Sequence, residues 1–187
     1  KHFGQQLKES LEATEHIDGV KLFRVYRDVR FSKDKTPYKT HFGISMHREK
    51  PRHRGGYFVQ LKPNENFAAV GFWDPNKEDL LRIRKELELD SSELRELMDE
   101  SNFKKTWGKL EGNELKTSPK GFSKEDPNID LIRKKMFVFR KRYGDEEVLS
   151  PTFLKQLAQD FRTVRPFLDY MSSVLTTDLN GVSLLDN

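Results

Sequence analysis

Two short stretches of the chain alternate between one set of apolar positions and a second set. "HFGISMH" sets Phe42, Ile44 and Met46 against Gly43, Ser45 and His47, and "GGYFVQLKP" sets Tyr57, Val59 and Leu61 against Phe58, Gln60 and Lys62. "NFAAVGFW" is predicted as a further strand, ending at Trp73. A period of two places successive side chains on opposite faces of a strand. "GVKLFRVYRDVRF", after Gly19, is rich in Val, Phe and Tyr and is predicted as a further strand over residues 20–30. In that reading Phe23 and Val25 point one way, and Leu22, Arg24 and Tyr26 the other. The polar connections are short, which favours an antiparallel sheet over alternating βαβ units.

Elsewhere the period lengthens to that of a helix. Phe3, Leu7 and Leu11 fall four apart, Leu80, Ile83 and Leu87 form one stripe, and Leu94, Leu97 and Met98 form another. The longest stripe runs through Leu154, Leu157, Phe161, Leu168, Met171 and Leu175, and its helix is expected to start at Ser150-Pro151. Asp74-Pro75 and Asp126-Pro127 read as an N-cap followed by proline at the first helical position, and Asp90 with Glu93 as a capping box. "NFKKTWG" and "KMFVFRKRY" read as strands. In the second, Met136 and Val138 face away from Phe137 and Phe139, a two-faced apolar pattern that predicts a central strand. Trp73 and Phe161 lie on the apolar phase of their elements and are expected in the core. The whole is predicted to be one α+β domain over residues 1–187, an antiparallel-rich sheet packed against helices, with 176–187 as a tail.

Composition narrows the class. With 14 Phe and 2 Trp among 187 residues the chain has the large side chains that a core needs. It has no cysteine, which removes disulfides, thiolate metal sites and cysteine nucleophiles and suits the cytoplasm. No run approaches the roughly 18 apolar residues of a membrane span, so no membrane partner is expected. The sequence opens at Lys1, already in a helix-like pattern, which leads us to expect a segment upstream.

The formal net charge of +4 is unevenly spread. Residues 21–54 hold eleven Lys/Arg against three Asp/Glu, a local excess of +8 that leaves the remainder at −4. Such asymmetry points to an anionic partner, with a solvated surface as the plainer account. The densest part is "RDVRFSKDKTPYKTHFG", where Ser32, Asp34 and Thr36-Pro37 favour a turn. Arg27, Arg30, Lys33, Lys35 and Lys39 could converge there on a phosphate or carboxylate, joined by Lys120 from "SPKGF". Pairing of the arginines with Asp28 or Asp34 is the structural alternative. "RKKMFVFRKR" adds a second basic cluster, with aromatics that could stack bases but that fit core packing better.

Other chemistry finds less support. His41, His47 and His53 recur every six residues without the carboxylate spacing of a metal site. Neither a Walker A loop nor a G-x-S-x-G elbow is present. No catalytic residue and no cofactor is therefore assigned.

Four blocks, "FRVYRDVRFSKDKTPYKTHFG", "GGYFVQL", "LKTSPKGFSKEDPNIDLIRKKMF" and "DEEVLSPTFLKQLAQDFRTVRPFLDYM", together resemble the domain-of-unknown-function 2461 family of bacteria and some fungi. The resemblance extends over nearly all of residues 1–175. It implies a single α+β domain and an upstream stretch rich in Asn, Arg and Trp, and it implies no settled activity, substrate or cofactor. From the residues themselves, the leading expectation is binding of an anionic, phosphate-bearing ligand, a nucleotide or a nucleic-acid backbone. The alternatives are a phosphate-ester hydrolase or transferase with Asp28 or Asp34 as base, and a basic protein-interaction module.

Overall fold

The alternating stretches pair into one antiparallel sheet. The computed structural model describes residues 2–185, and its sheet has five strands in sequential order: β1 (Ile17–Leu22), β2 (Phe42–Arg48), β3 (Gly56–Leu61), β4 (Asn66–Phe72) and β5 (Phe137–Tyr143). Register sets Ile44 opposite Val59, Tyr57 opposite Val70, and Val70 opposite Phe139, so these side chains share one face. They are all buried, together with Met46, Ala68 and Phe137. At Gly71 (φ 131°) a Cβ would lie 2.0 Å from the Phe137 carbonyl oxygen, so only glycine lets β4 and β5 approach this closely.

Helices cover that inner face. The first, α1 (His2–Glu12), packs on β1 and on the longest helix. Between β4 and β5 the chain forms α2 (Lys77–Leu89), α3 (Ser92–Asp99), α4 (Ser101–Trp107) and the single turn α5 (Ile129–Ile132). After β5 come α6 (Asp145–Leu149) and α7 (Phe153–Thr176). The apolar stripe of α7 enters the core through Leu157, Phe161, Val164, Leu168, Met171 and Leu175. Phe161 lies 4.6 Å from the Tyr57 ring and stacks on Trp107 at 6.0 Å, and Phe167 meets Phe139 edge-on at 5.0 Å. No helix of the described residues is long and apolar enough to cross a membrane. The architecture is α+β, with sheet and helices sharing one core.

Several expected elements differ. The strand predicted over 20–30 ends at Leu22. Residues 23–41 leave the sheet as a narrow two-stranded arm, joined by bonds from Lys39 N to Val25 O (2.7 Å) and from Arg27 N to Pro37 O (2.9 Å). "NFKKTWG" is not a strand but lies within α4. The Glu100 side chain accepts from Phe103 N at 2.7 Å, and Phe103 and Trp107, one turn apart, are both buried. The N-caps of α2 and α5 are Asn76 and Asn128, two residues beyond the aspartates expected. Asp90 bonds Ser92 in a local turn, and the cap of α3 is Ser91.

β5 is the last strand of the sheet rather than a central one. Its outer edge is partly occupied by Glu111, whose N donates to Val138 O at 2.7 Å. Trp73 follows β4 onto the face away from the helices and is half-buried, not in the core. Residues 177–184 turn back on α7: Leu184 N donates to Thr176 O, and Arg82 donates to the Thr177 and Asp178 carbonyls.

Candidate functional site

The second face of the sheet is built from the polar phase of the alternating strands, and there the phase carries aromatics. Phe23, just past β1, meets Phe58 of β3 edge-on at 5.8 Å, and Phe58 meets Phe67 of β4 at 5.7 Å. Between the first two, β2 contributes Gly43. A Cβ there would lie 3.3 Å from both the Phe23 and the Phe58 rings, so the missing side chain lets the rings close over β2. The row therefore crosses three inter-strand gaps of about 4.8 Å, roughly 14 Å in all. Phe23, Phe58 and Phe67 are all half-buried, leaving part of each ring open to solvent.

Cations stand at both ends of this row. Lys21 and Lys39 place their ammonium groups 5.4 and 5.8 Å from the Phe23 centroid, and Arg140 lies 4.7 Å from that of Phe67. Each arrangement is a cation–π contact. Arg142 lines a concavity of about 330 Å³ beside Phe67 and makes no ion pair among the described residues. Arg140 is held loosely by Glu111 at 3.5 Å, with both side chains well exposed.

The arm over residues 23–41 contains most of the expected site residues, and the structure separates them. Arg27 pairs with Asp34 and also donates to Thr36 Oγ1 (2.9 Å) and Ser32 Oγ (3.3 Å). Arg30 pairs with Asp28 through two nitrogens, at 3.0 and 2.7 Å. Lys35 donates to the Val29 carbonyl at 2.9 Å. Thus three of the five arm cations expected in the site hold the tip in shape. Lys33 and Lys39 make no ion pair among the described residues, and Lys39 alone reaches the aromatic row. Lys120 lies between α4 and α5, on a loop whose Phe122 packs under Lys85 of α2 (4.8 Å). No described contact ties Lys120 to the arm or to the aromatic row.

Asp28 and Asp34, the bases expected for a hydrolase, are poorly suited to that work. The Arg30 side chain holds the Asp28 carboxyl below its ordinary range, and bonds from Thr36 and then Arg27 hold Asp34 lower still. A base works best when its pKa lies near the working pH.

A second polar cluster lies at the far end of β1–β3. Arg48, with no exposed side-chain area, donates to Glu15 (2.9 Å) and Ser172 (3.1 Å) and pairs with Asp169, while Tyr57 OH donates to Glu15 at 2.6 Å. Burial, then the Glu15 carboxylate, push the Tyr57 phenol well above its ordinary value, so it remains a donor. Each member has a partner, and the cluster reads as a fold-holding network. Nearby, His53 stacks on His16 at 4.5 Å. Among the described residues no group of three or more His, Asp or Glu could hold a metal ion.

Burial, then Arg48 and His16, lower the His53 pKa below its usual 6.5. Its neutral form is favoured by folding, so its contribution is complete above about pH 6.5 and is lost as pH falls through the folded value. The urea midpoint is expected to drop on going from pH 7.5 to about 5.5, and His53→Gln to reduce that drop. An equal drop in both proteins would place its origin elsewhere.

Phe58, Phe67, Lys21 and Arg142 were not among the residues expected from the sequence to form a site. The available signal was the aromatics at the polar phase of β3 and β4: a Phe alternating with core residues faces something other than the core.

A family profile described as conserved hypothetical protein (DUF2461) matches residues 1–170, and the chain belongs to that family. No curated protein and no solved structure matches it.

Proposed function

We propose that this family member binds single-stranded nucleic acid on the sheet face opposite its helices, with the basic arm closing over one end. The observation that carries the reading is the row Phe23–Phe58–Phe67 with cations at both ends. Bases stack on aromatic side chains whatever their sequence, and cations alongside follow the phosphates. A row of roughly 14 Å has space for two or three bases, the number that sheet platforms of this kind stack. Lys21, Lys39, Arg142 and the arm's Lys33 make no ion pair among the described residues and remain available to phosphate. The expected anion site of Arg27, Arg30, Lys33, Lys35, Lys39 and Lys120 is thereby reduced in this proposal to Lys33 and Lys39, with the paired residues shaping the arm. The hydrolase alternative draws less support, since Asp28 and Asp34 are ion-paired and held acidic.

The test is titration of a labelled thymidine oligonucleotide at two salt concentrations. Four phosphate contacts on a single strand give a slope of log K against log salt of about −3. Affinity should then fall roughly 50-fold between about 50 and 200 mM salt. Arg142→Ala should make the slope shallower by about 0.7. Phe67→Ala should weaken binding by about 1–3 kcal/mol with little change of slope. A duplex of the same length should bind more weakly, because its bases are already stacked. Absence of binding at about 50 mM salt, or equal affinity for duplex and single strand, would sink the proposal.

A further inference from the structure

Beside the aromatic row the outer face deepens into a concavity of about 370 Å³. It is lined by Lys21, Phe23, Ser45, His47, Tyr57, Phe58 and Trp73. Its volume falls at the small end of the range for ligand pockets, which suits one flat ring better than an extended molecule. At its floor is Ser45 of β2, 6% exposed, whose Oγ is buried and meets no protein donor or acceptor. Buried hydroxyls are nearly always bonded, and leaving one unpaired lowers stability. Nothing about the fold requires a hydroxyl here. Gly43, its neighbour on the same face, shows that β2 accepts a still smaller residue two positions away.

We infer that this pocket is a nucleobase subsite: it takes one base of the bound strand against Trp73 and Phe58, with the Ser45 hydroxyl bonding the base edge. This rests on the reading of the sheet face as a single-strand platform and adds to it a place where the base itself is recognised. The geometry has the three parts such a site requires. Trp73 is half-buried at the end of β4 and offers the largest π-face on this side of the sheet. Ser45, as both donor and acceptor, can meet either kind of group on a base edge. Lys21 spans the pocket and the cationic end of the row, close to where the phosphate of an inserted nucleotide would emerge. The cations favour a nucleotide over a neutral aromatic compound, and the orphaned hydroxyl favours a ring with polar edge atoms over a hydrocarbon.

The chain carries its own reporter. Of its two tryptophans, Trp107 is buried in the core with its indole N–H bonded to the Asp160 carbonyl and Thr163, so emission that responds to a surface ligand comes from Trp73. The experiment is fluorescence titration of the full chain with a thymidine oligonucleotide, with the same oligonucleotide lacking its bases, and with adenosine and thymidine monophosphates. We expect the intact oligonucleotide to quench emission and the abasic one not to. The quench should vanish in Trp73→Leu. Ser45→Ala should weaken intact-oligonucleotide binding about tenfold while its melting temperature stays level or rises, because no native bond is lost. A structural role for Ser45 would lower both.

The outcomes are separable. If the oligonucleotide binds with the expected salt dependence but Ser45→Ala and Trp73→Leu bind it as the parent does, the subsite is wrong and the platform stands. If the oligonucleotide fails to bind while a monophosphate quenches Trp73, the pocket is a nucleotide site and the platform is wrong. If the labelled oligonucleotide fails to bind and neither ligand changes the emission, both are overturned.

Discussion

Phe161→Ala is expected to destabilise the protein by about 3–5 kcal/mol, the usual cost of emptying a large aromatic site in a core. Phe161 has no exposed area and lies at the midpoint of the inner layer. Its ring is flanked by Tyr57 of β3 at 4.6 Å and Trp107 of α4 at 6.0 Å, so truncation removes the group that ties the sheet to two helices at once. Neither neighbour can move in to fill the space. Tyr57 is anchored through its hydroxyl to Glu15, and the Trp107 indole is bonded to α7 itself. Urea denaturation should show a lower midpoint at unchanged slope. A midpoint within error of the parent would mean that the stripe of α7 had been assigned to the wrong face.

Arg48→Ala should cost a similar amount, about 3–5 kcal/mol, by a different route. The guanidinium joins three elements: Glu15 before β1, and Asp169 and Ser172 on α7. Its removal leaves Glu15, 4% exposed, with only the Tyr57 hydroxyl and the His16 N–H as donors. A buried carboxylate without its counter-charge is costly. Arg48→Lys should recover part of the loss, since one ammonium can serve one acceptor in place of the fork that serves several. A loss below about 1 kcal/mol for Arg48→Ala would fit the range of a surface pair and not of this network.

The two substitutions probe the sequence unequally. Phe161 was legible as core because helical spacing repeats over about six turns of α7, and each repeat reinforces the same face. Arg48 was not, because its partners lie 33, 121 and 124 residues away and only the closed sheet brings them together. The same contrast holds for the basic stretch. That residues 21–54 carry excess positive charge follows from the sequence. That Arg27 and Arg30 spend theirs on Asp34 and Asp28 depends on the fold of the arm. α4 was misread because seven residues hold too few periods to separate helix from strand, and its capping residue, Glu100, is not one of the usual N-cap residues.

By itself the sequence determined the alternation of β2 and β3, the strand character of β4, the buried stripe of α7, the α+β class and the region of positive charge, all properties carried by neighbours along the chain. The tertiary structure decided which sheet face receives the helices, and so why Trp73 lies outside the core while Tyr57 and Val70 lie within it. It also decided that Phe23, just past β1, forms one row with Phe58 of β3 and Phe67 of β4. A period of two states that a strand has two faces and is silent on which is covered. Neighbours across strands are set by register, and register is fixed only when the distant parts of the chain pack together.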